Sequence, residues 1–402
     1  MPSSKSDKHV IGFLVLHLLT YSIYNLGHPV TPQFINDIHA PIFMTGILLG
    51  VMALAQCIFA PFWGQVSDIY GRRIAYLGPL IYAFSQLGFV FLSNYYYLFI
   101  FRFISGAFVV ITATVNFAYI SDCASPNKKT KYLGIAALLI PIGIFFGFTI
   151  GGLLGDIFNP RMSFAIQSVA SIILAVILYF YVDSPKKEDA SFSQINFNIM
   201  KENYLLLKRN GSSGLKYVLL ITFFNIVSYQ MVMSQAAVIL TNGFSKPTSY
   251  VGLFVALFNL IGGLISFVIQ PLLFKSTRLN HKYLPFCSLL SILASAIAYL
   301  ITLNQPLFMW FGLMLATLFN TVFIALVQDI IVKIDIHNEK GALIGINQAT
   351  QSLGIFIGTS IAGLIIAQYL YGSILTGLIL FIITFLVNYF YVSKNLNKLI
   401  QN

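Results

Sequence analysis

Charge is what this sequence has least of: 12 acidic and 23 basic residues in 402, or 9% of the chain. A soluble protein of this length could not hide a composition that is 58% hydrophobic and 15% aromatic, so the chain is read as an integral membrane protein. Three cysteines, Cys57, Cys123 and Cys287, form no CxxC pair, which leaves neither a disulfide framework nor a metal site. No GxxxxGK[ST] loop occurs, so nucleotide hydrolysis is not the expected energy source. Clustered His, Asp or Cys of the kind a membrane enzyme needs is also lacking, and no cofactor is expected. The net charge of +11 is scattered over short connections instead of forming a basic surface, which argues against a nucleic-acid partner.

What is present is a series of apolar stretches of about 20 residues, the length of a helix crossing roughly 30 Å of hydrocarbon. Spans are expected near 10–30, 42–63, 74–93, 96–119, 133–155, 163–182, 215–240, 250–273, 284–303, 307–332, 342–368 and 373–392. The fold class is therefore all-α, with twelve transmembrane helices. Twenty of the 23 Lys and Arg fall on one side of this layout, against Arg161 and Lys246 on the other and Arg102 within a span. By the positive-inside rule both termini are cytoplasmic. The first span lacks a cleavage signature and is expected to be retained.

The longest polar segment divides the chain into 1–182, a linker at 183–214, and 215–402. The halves echo each other. Gly143, Gly147 and Gly152 in span five, with Gly151 beside them, match Gly354, Gly358 and Gly363 in span eleven at an offset of 211 residues. Two parallel six-helix bundles are one plan of secondary transporters, while glycine four residues apart serves close helix packing anywhere in a membrane.

Polar residues inside spans should face a cavity or another helix. In span one His17, Tyr21, Tyr24 and His28 share one helical face, with Asn25 alongside. Span four carries Arg102, Ser105, Thr112 and Asn116; span seven Asn225, Tyr229 and Gln230; span ten Thr317 and Asn320. These spans are expected to line a polar path, with spans three, six, nine and twelve facing lipid. Each such residue reads equally as an interhelical hydrogen bond or a ligand contact, and Arg102 equally as a buried charge or a snorkelling one.

Between spans two and three stands a polar island, Gly64-Gln-Val-Ser-Asp68-Ile-Tyr-Gly71-Arg72-Arg73. With the RFISGAF run around Arg102, the GxxxGxxxGG of span five, LGHPVTPQF and AYISDCASPNKKTK, it resembles the major facilitator superfamily, and more closely its twelve-helix drug/proton antiporter branch. That resemblance implies alternating access and export of drug-like or amphipathic compounds from the bacterial inner membrane. It also implies proton coupling, a small-molecule substrate and a monomer held in the bilayer. In it, Asp68 would meet the start of span eleven and Arg72 would pair with Asp122 as a cytoplasmic latch. The sequence departs from the branch where Phe148 follows Gly147 in place of proline. Gln230 and Asn320 stand where some relatives carry coupling carboxylates. An importer or facilitator of a small metabolite is the competing expectation.

Overall fold

The computed structural model describes residues 7–183, 213–273, 283–302, 306–334 and 340–392. The linker at 184–212, the basic loop at 274–282 and residues 393–402 lie outside the described residues. Among the described residues twelve long helices appear: α1 Asp7–Tyr24, α2 Met44–Tyr70, α3 Leu77–Phe91, α4 Tyr95–Cys123, α5 Lys129–Ile157 and α6 Pro160–Tyr181 come first. α7 Ser213–Met233, α8 Thr248–Leu273, α9 Tyr283–Thr302, α10 Pro306–Ile334, α11 Lys340–Ile366 and α12 Gly372–Val387 follow. Ten are long and apolar enough to cross a membrane; α1 and α9 are the two outside that set. For α1 the physical reason is its first turn, Asp7-Lys8-His9, which takes three of its 18 positions and lowers its hydropathy. α1 stops at Tyr24, short of the expected end near 30, and after a turn a seven-residue helix, Thr31–Asp37, carries the chain on. Here Pro32 occupies the first helical turn, where its missing N–H costs nothing.

Glycine sets how closely the helices approach. On α5, Gly143 faces Leu18 O and Tyr21 Cβ of α1, and Gly147 faces Ser22 O and Asn25 Cβ. On α11, Gly354 faces Phe223 O and Ile226 Cβ of α7, and Gly358 faces Val227 O and Gln230 Cβ. Every partner in the second set lies 205 positions after its counterpart in the first, and both glycines lie 211 after theirs. The α1/α5 and α7/α11 pairs therefore share one register, side chain for side chain. The same pairing recurs between α3 and α6 and between α9 and α12.

The described residues form two compact units. One contains 7–41, 54–183 and 245–260; the other contains 42–53, 213–244 and 261–392. Relative to the repeat halves, two helix starts change sides, and glycine explains each. Gly152 and Gly252 bring α5 against the start of α8 in the first unit, and Gly46 and Gly363 bring the start of α2 against α11 in the second.

α3, α6, α9 and α12 are not featureless. They expose apolar faces, such as Val169, Ile172, Ile173 and Val176 on α6, but bury polar ones: Gln86 on α3, Gln167, Ser168 and Ser171 on α6, Ser288, Ser291 and Ser295 on α9, and Thr384 on α12. In sequence these helices read as nearly featureless because short hydroxyls bond back to the preceding turn, as Ser291 and Ser295 do, and so sit in apolar helices without cost.

A Cβ at Gly151 would collide with the Leu26 carbonyl, whereas one at Gly134 meets nothing within 4 Å. Gly151→Leu should therefore destabilise the purified protein by about 1–3 kcal/mol or more. Gly134→Ala should leave thermal unfolding unchanged or raise its midpoint, since Gly costs a helix interior roughly 0.5–1 kcal/mol.

Candidate functional site

Within the first unit, the α1 stripe turns its members to different tasks. His17 is fully buried between α4 and α5. Its Nε2 lies 3.2 Å from Ala136 O, which only accepts, so Nε2–H donates there. Nδ1 then accepts from the Asn116 amide at 3.2 Å. Both ring nitrogens are engaged, and the imidazole joins three helices. The Tyr24 hydroxyl lies 3.0 Å from Thr112 Oγ1 on α4. Where α1 ends, its Tyr24 carbonyl accepts from Tyr82 at 3.0 Å and from Gln167 Nε2 at 3.0 Å, and Gln167 also donates to Ile23 O at 2.7 Å. Tyr82 and Gln167, unnoticed in sequence, thus close the carbonyl end of α1, groups that a helix end must satisfy somehow. Asn25 donates back to Tyr21 O at 2.7 Å. His28 stacks on Phe148, with ring centroids 5.8 Å apart.

The second unit repeats part of this pattern. Tyr229 OH lies 3.3 Å from Thr317 Oγ1, between α7 and α10. Tyr229 and Thr317 each stand 205 residues after Tyr24 and Thr112, so one hydroxyl pair pins the first helix of each half to the fourth. Beside it Asn225 donates to Asn320 Oδ1 at 2.8 Å. Of the expected cavity residues, His17, Tyr24, Arg102, Thr112, Asn116, Asn225 and Asn320 are buried in these contacts, while Tyr21, Asn25, His28, Tyr229 and Gln230 remain partly accessible.

Arg102 is 1% exposed, which removes the snorkelling reading. Its guanidinium carbon sits 4.4 Å from the centroid of the Phe89 ring and close to the Tyr82 hydroxyl. Phe89, Gln86 and Tyr82 form one stripe of α3, at i, i−3 and i−7, and the Gln86 amide between them is buried with no hydrogen-bond partner.

At the opposite end of the first unit, Gly71 takes φ 88°, a conformation glycine adopts freely, and turns the chain from α2 into the 3₁₀ helix Arg72–Tyr76. Arg72 then reaches three acceptors: Asp122 Oδ2 at 2.9 Å through Nε, and Asp68 Oδ1 at 2.5 Å and Ser67 Oγ at 2.6 Å through Nη1. Arg73 donates to Val182 O at 3.1 Å, at the end of α6. One turn thereby ties α2, α4 and α6. Asp68 and Asp122 keep 61% and 47% of their side-chain surface exposed. Exposed pairs of this kind stabilise by about 0–1 kcal/mol each, so the cluster contributes position more than stability. Gly64 meets nothing within 4 Å and is not a packing glycine.

Among the described residues no group of His, Cys, Asp or Glu could hold a metal ion. The described carboxylates on the long helices, Asp7, Asp68, Asp122, Asp156 and Asp329, stand in or near terminal turns, with Asp329 five residues inside the end of α10.

Because each Tyr–Thr pair links two helices, the first pair buried and the second part-buried, removing one hydroxyl should cost what interhelical membrane hydrogen bonds usually measure. A double-mutant cycle of Tyr24→Phe and Thr112→Val should give a coupling of about 0.6 kcal/mol, with a similar value for Tyr229→Phe and Thr317→Val. Thermal unfolding in detergent reads both cycles.

The chain is 26% identical over 387 residues to multidrug resistance protein 2 of Bacillus subtilis, covering 91% of each sequence. It is 28% identical over 278 residues to the class B tetracycline resistance protein of Escherichia coli, covering 67% of this chain and 66% of that one. Its fold superposes on a bacterial homologue of the human lysosomal transporter Spinster with a TM-score of 0.79 at 16% identity, covering 98% of this chain and 99% of that chain. The D-xylose–proton symporter follows with a TM-score of 0.73 at 14% identity, covering 96% and 98%. The Major Facilitator Superfamily model matches residues 13–359, and with twelve helices in paired registers around it, the chain belongs to that superfamily of membrane transporters, not to an enzyme family.

Proposed function

We propose that the protein is a secondary active exporter of drug-like or amphipathic small molecules, working by alternating access and driven by protons. The observation that carries this reading is the full-length similarity to multidrug resistance protein 2, at 91% coverage of both chains. The half-buried residues suit such a cargo. Tyr21 and Asn25 in the first unit and Tyr229 and Gln230 in the second offer aromatic faces, hydroxyls and amides without a full charge. Sites of this composition bury apolar surface and orient it with a few polar groups, a match for amphipathic solutes better than for polycations.

The candidates for the proton's carrier are Asp37, His17, His28 and Asp329. His17 has both ring nitrogens engaged. Of that set, Asp37, His28 and Asp329 are left as candidates. The membrane is the bacterial inner membrane, with both termini cytoplasmic by the distribution of Lys and Arg, and the working unit is a monomer.

Arg72, Asp68 and Asp122 are the cytoplasmic latch of this cycle. In one state Arg72 holds Asp68 and Asp122. In the other, the Asp68 carboxylate would turn to the positive amino end of α11. Import of a small metabolite is the second reading, favoured by the likeness in fold to the D-xylose–proton symporter.

Asp68→Asn should insert and fold as the parent does, since exposed pairs contribute little to stability, but should lose at least tenfold in transport rate. Flux of a fluorescent amphipathic dye in everted vesicles, with and without an imposed proton gradient, measures this. Normal flux in the variant sinks the latch. Dye accumulation in everted vesicles supports export, and accumulation only in right-side-out vesicles supports import.

A further inference from the structure

The start of α8 has no cap of its own. Its N-cap position is Pro247, which has no side-chain acceptor, although the first N–H groups of any helix need one. The missing acceptor arrives from a residue more than ninety positions earlier. Asp156, on the last turn of α5, accepts from the Thr248 N–H at 2.8 Å and the Thr248 hydroxyl at 2.6 Å through Oδ1, and from the Ser249 N–H at 2.9 Å through Oδ2. The Thr248 hydroxyl also lies 2.8 Å from Gly152 O, so its single hydrogen is shared between the two acceptors. Gly152 and Gly155 leave room for Thr248, and Gly252 leaves room for Phe148 O, so backbones meet without intervening side chains. Lys246, the nearest cation along the chain, is turned onto the Tyr250 ring at 5.3 Å.

The other half contains the equivalent backbone contact without the carboxylate. Gly363 stands 211 residues after Gly152 and meets Phe43 O and Gly46, as Gly152 meets Thr248 O and Ser249. The position 211 residues after Asp156 is Ala367, and Thr45 at that start of α2 bonds instead to Gln235 at 3.1 Å. Packing alone therefore does not require an acid here. α5 begins at the basic stretch Lys128–Lys131 and carries Asp156 in its last turn, so the contact stands on the face opposite the basic loops.

We propose that Asp156 is a positioning residue of the transport cycle: a clasp on the outer face whose carboxylate caps α8 from α5 and must release it for that face to open. This rests on the alternating-access reading above. It gives the cycle two helix-capping carboxylates on opposite faces, Asp156 toward α8 and Asp68 toward α11, with the Asp156 cap made while Asp68 is held by Arg72.

The test does not depend on knowing the cargo. In the full-length protein in lipid nanodiscs, Asp156→Ala should speed amide hydrogen exchange at residues 248–252 about tenfold and leave α1 and α10 unchanged, the scale of losing one helix cap. Asp156→Asn, which keeps one acceptor oxygen, should fall between. In a background with the three cysteines replaced by alanine, Val251→Cys, buried in the parent, should react at least fivefold faster with a membrane-impermeant maleimide once Asp156 is alanine. Unchanged exchange and labelling overturn the clasp, as does a rise spread evenly over the whole chain, which would mark general unfolding. Absence of dye flux in the parent protein, by contrast, strikes the export reading and leaves these two measurements standing.

Discussion

Backbone-to-backbone approach at glycine is the constraint on which the rest of this structure depends. Apolar helices in lipid gain nothing from leaving water, so their association rests on close van der Waals contact and on polar groups that find each other. Where Gly147 meets Ser22 O and Gly358 meets Val227 O, a side chain would hold the helices apart. With α5 fixed on α1 and α11 on α7, everything those helices carry is placed as well. The half-buried Asn25 and Gln230 stand at equivalent points because their own Cβ atoms are the surfaces that the two glycines touch.

Hydrogen bonds then fix the angles that packing leaves free. Each half joins its first and fourth helices through a tyrosine and a threonine at the same relative positions, Tyr24 with Thr112 and Tyr229 with Thr317. Beyond that pair the halves diverge. The first adds His17 to Asn116 and the cap of Tyr82 and Gln167 on the end of α1; the second adds Asn225 to Asn320. A shared frame with different inner linkages is what a duplicated bundle needs if one half is to do something the other does not.

Much of this was legible in the sequence because membrane helices announce themselves by hydropathy and glycine spacing, and both are local. The glycine rows and the polar stripe of span one could be read before any coordinates. Which polar side chains point at one another could not, since Tyr82 and Gln167 belong to helices whose average composition is apolar, and their partner is a backbone carbonyl with no sequence signature. Asp156 escaped for a similar reason. Its acceptor role is explained only by Pro247, 91 residues later, which supplies no cap. The change of sides by the starts of α2 and α8 has the same origin, since glycine permits a close approach without naming the partner helix.

Arg102 shows how a full charge survives in such an interior. Moving an ion out of water costs several kcal/mol even after relaxation, and a carboxylate partner is the usual remedy. Here the described surroundings supply none: the guanidinium carbon lies 4.4 Å from the centroid of the Phe89 ring and the group sits beside the Tyr82 hydroxyl, with Nε unpartnered. A cation over a desolvated ring gains about 2 kcal/mol, less than its transfer costs, so the remainder must be carried by the packing that holds α3 against α4 and α6. That same packing rests on Tyr82 and Gln167, which bind the end of α1. The charge and the termination of α1 are thus two loads on one set of contacts, which is why α1 can stop at Tyr24 and still leave His28 in place against Phe148.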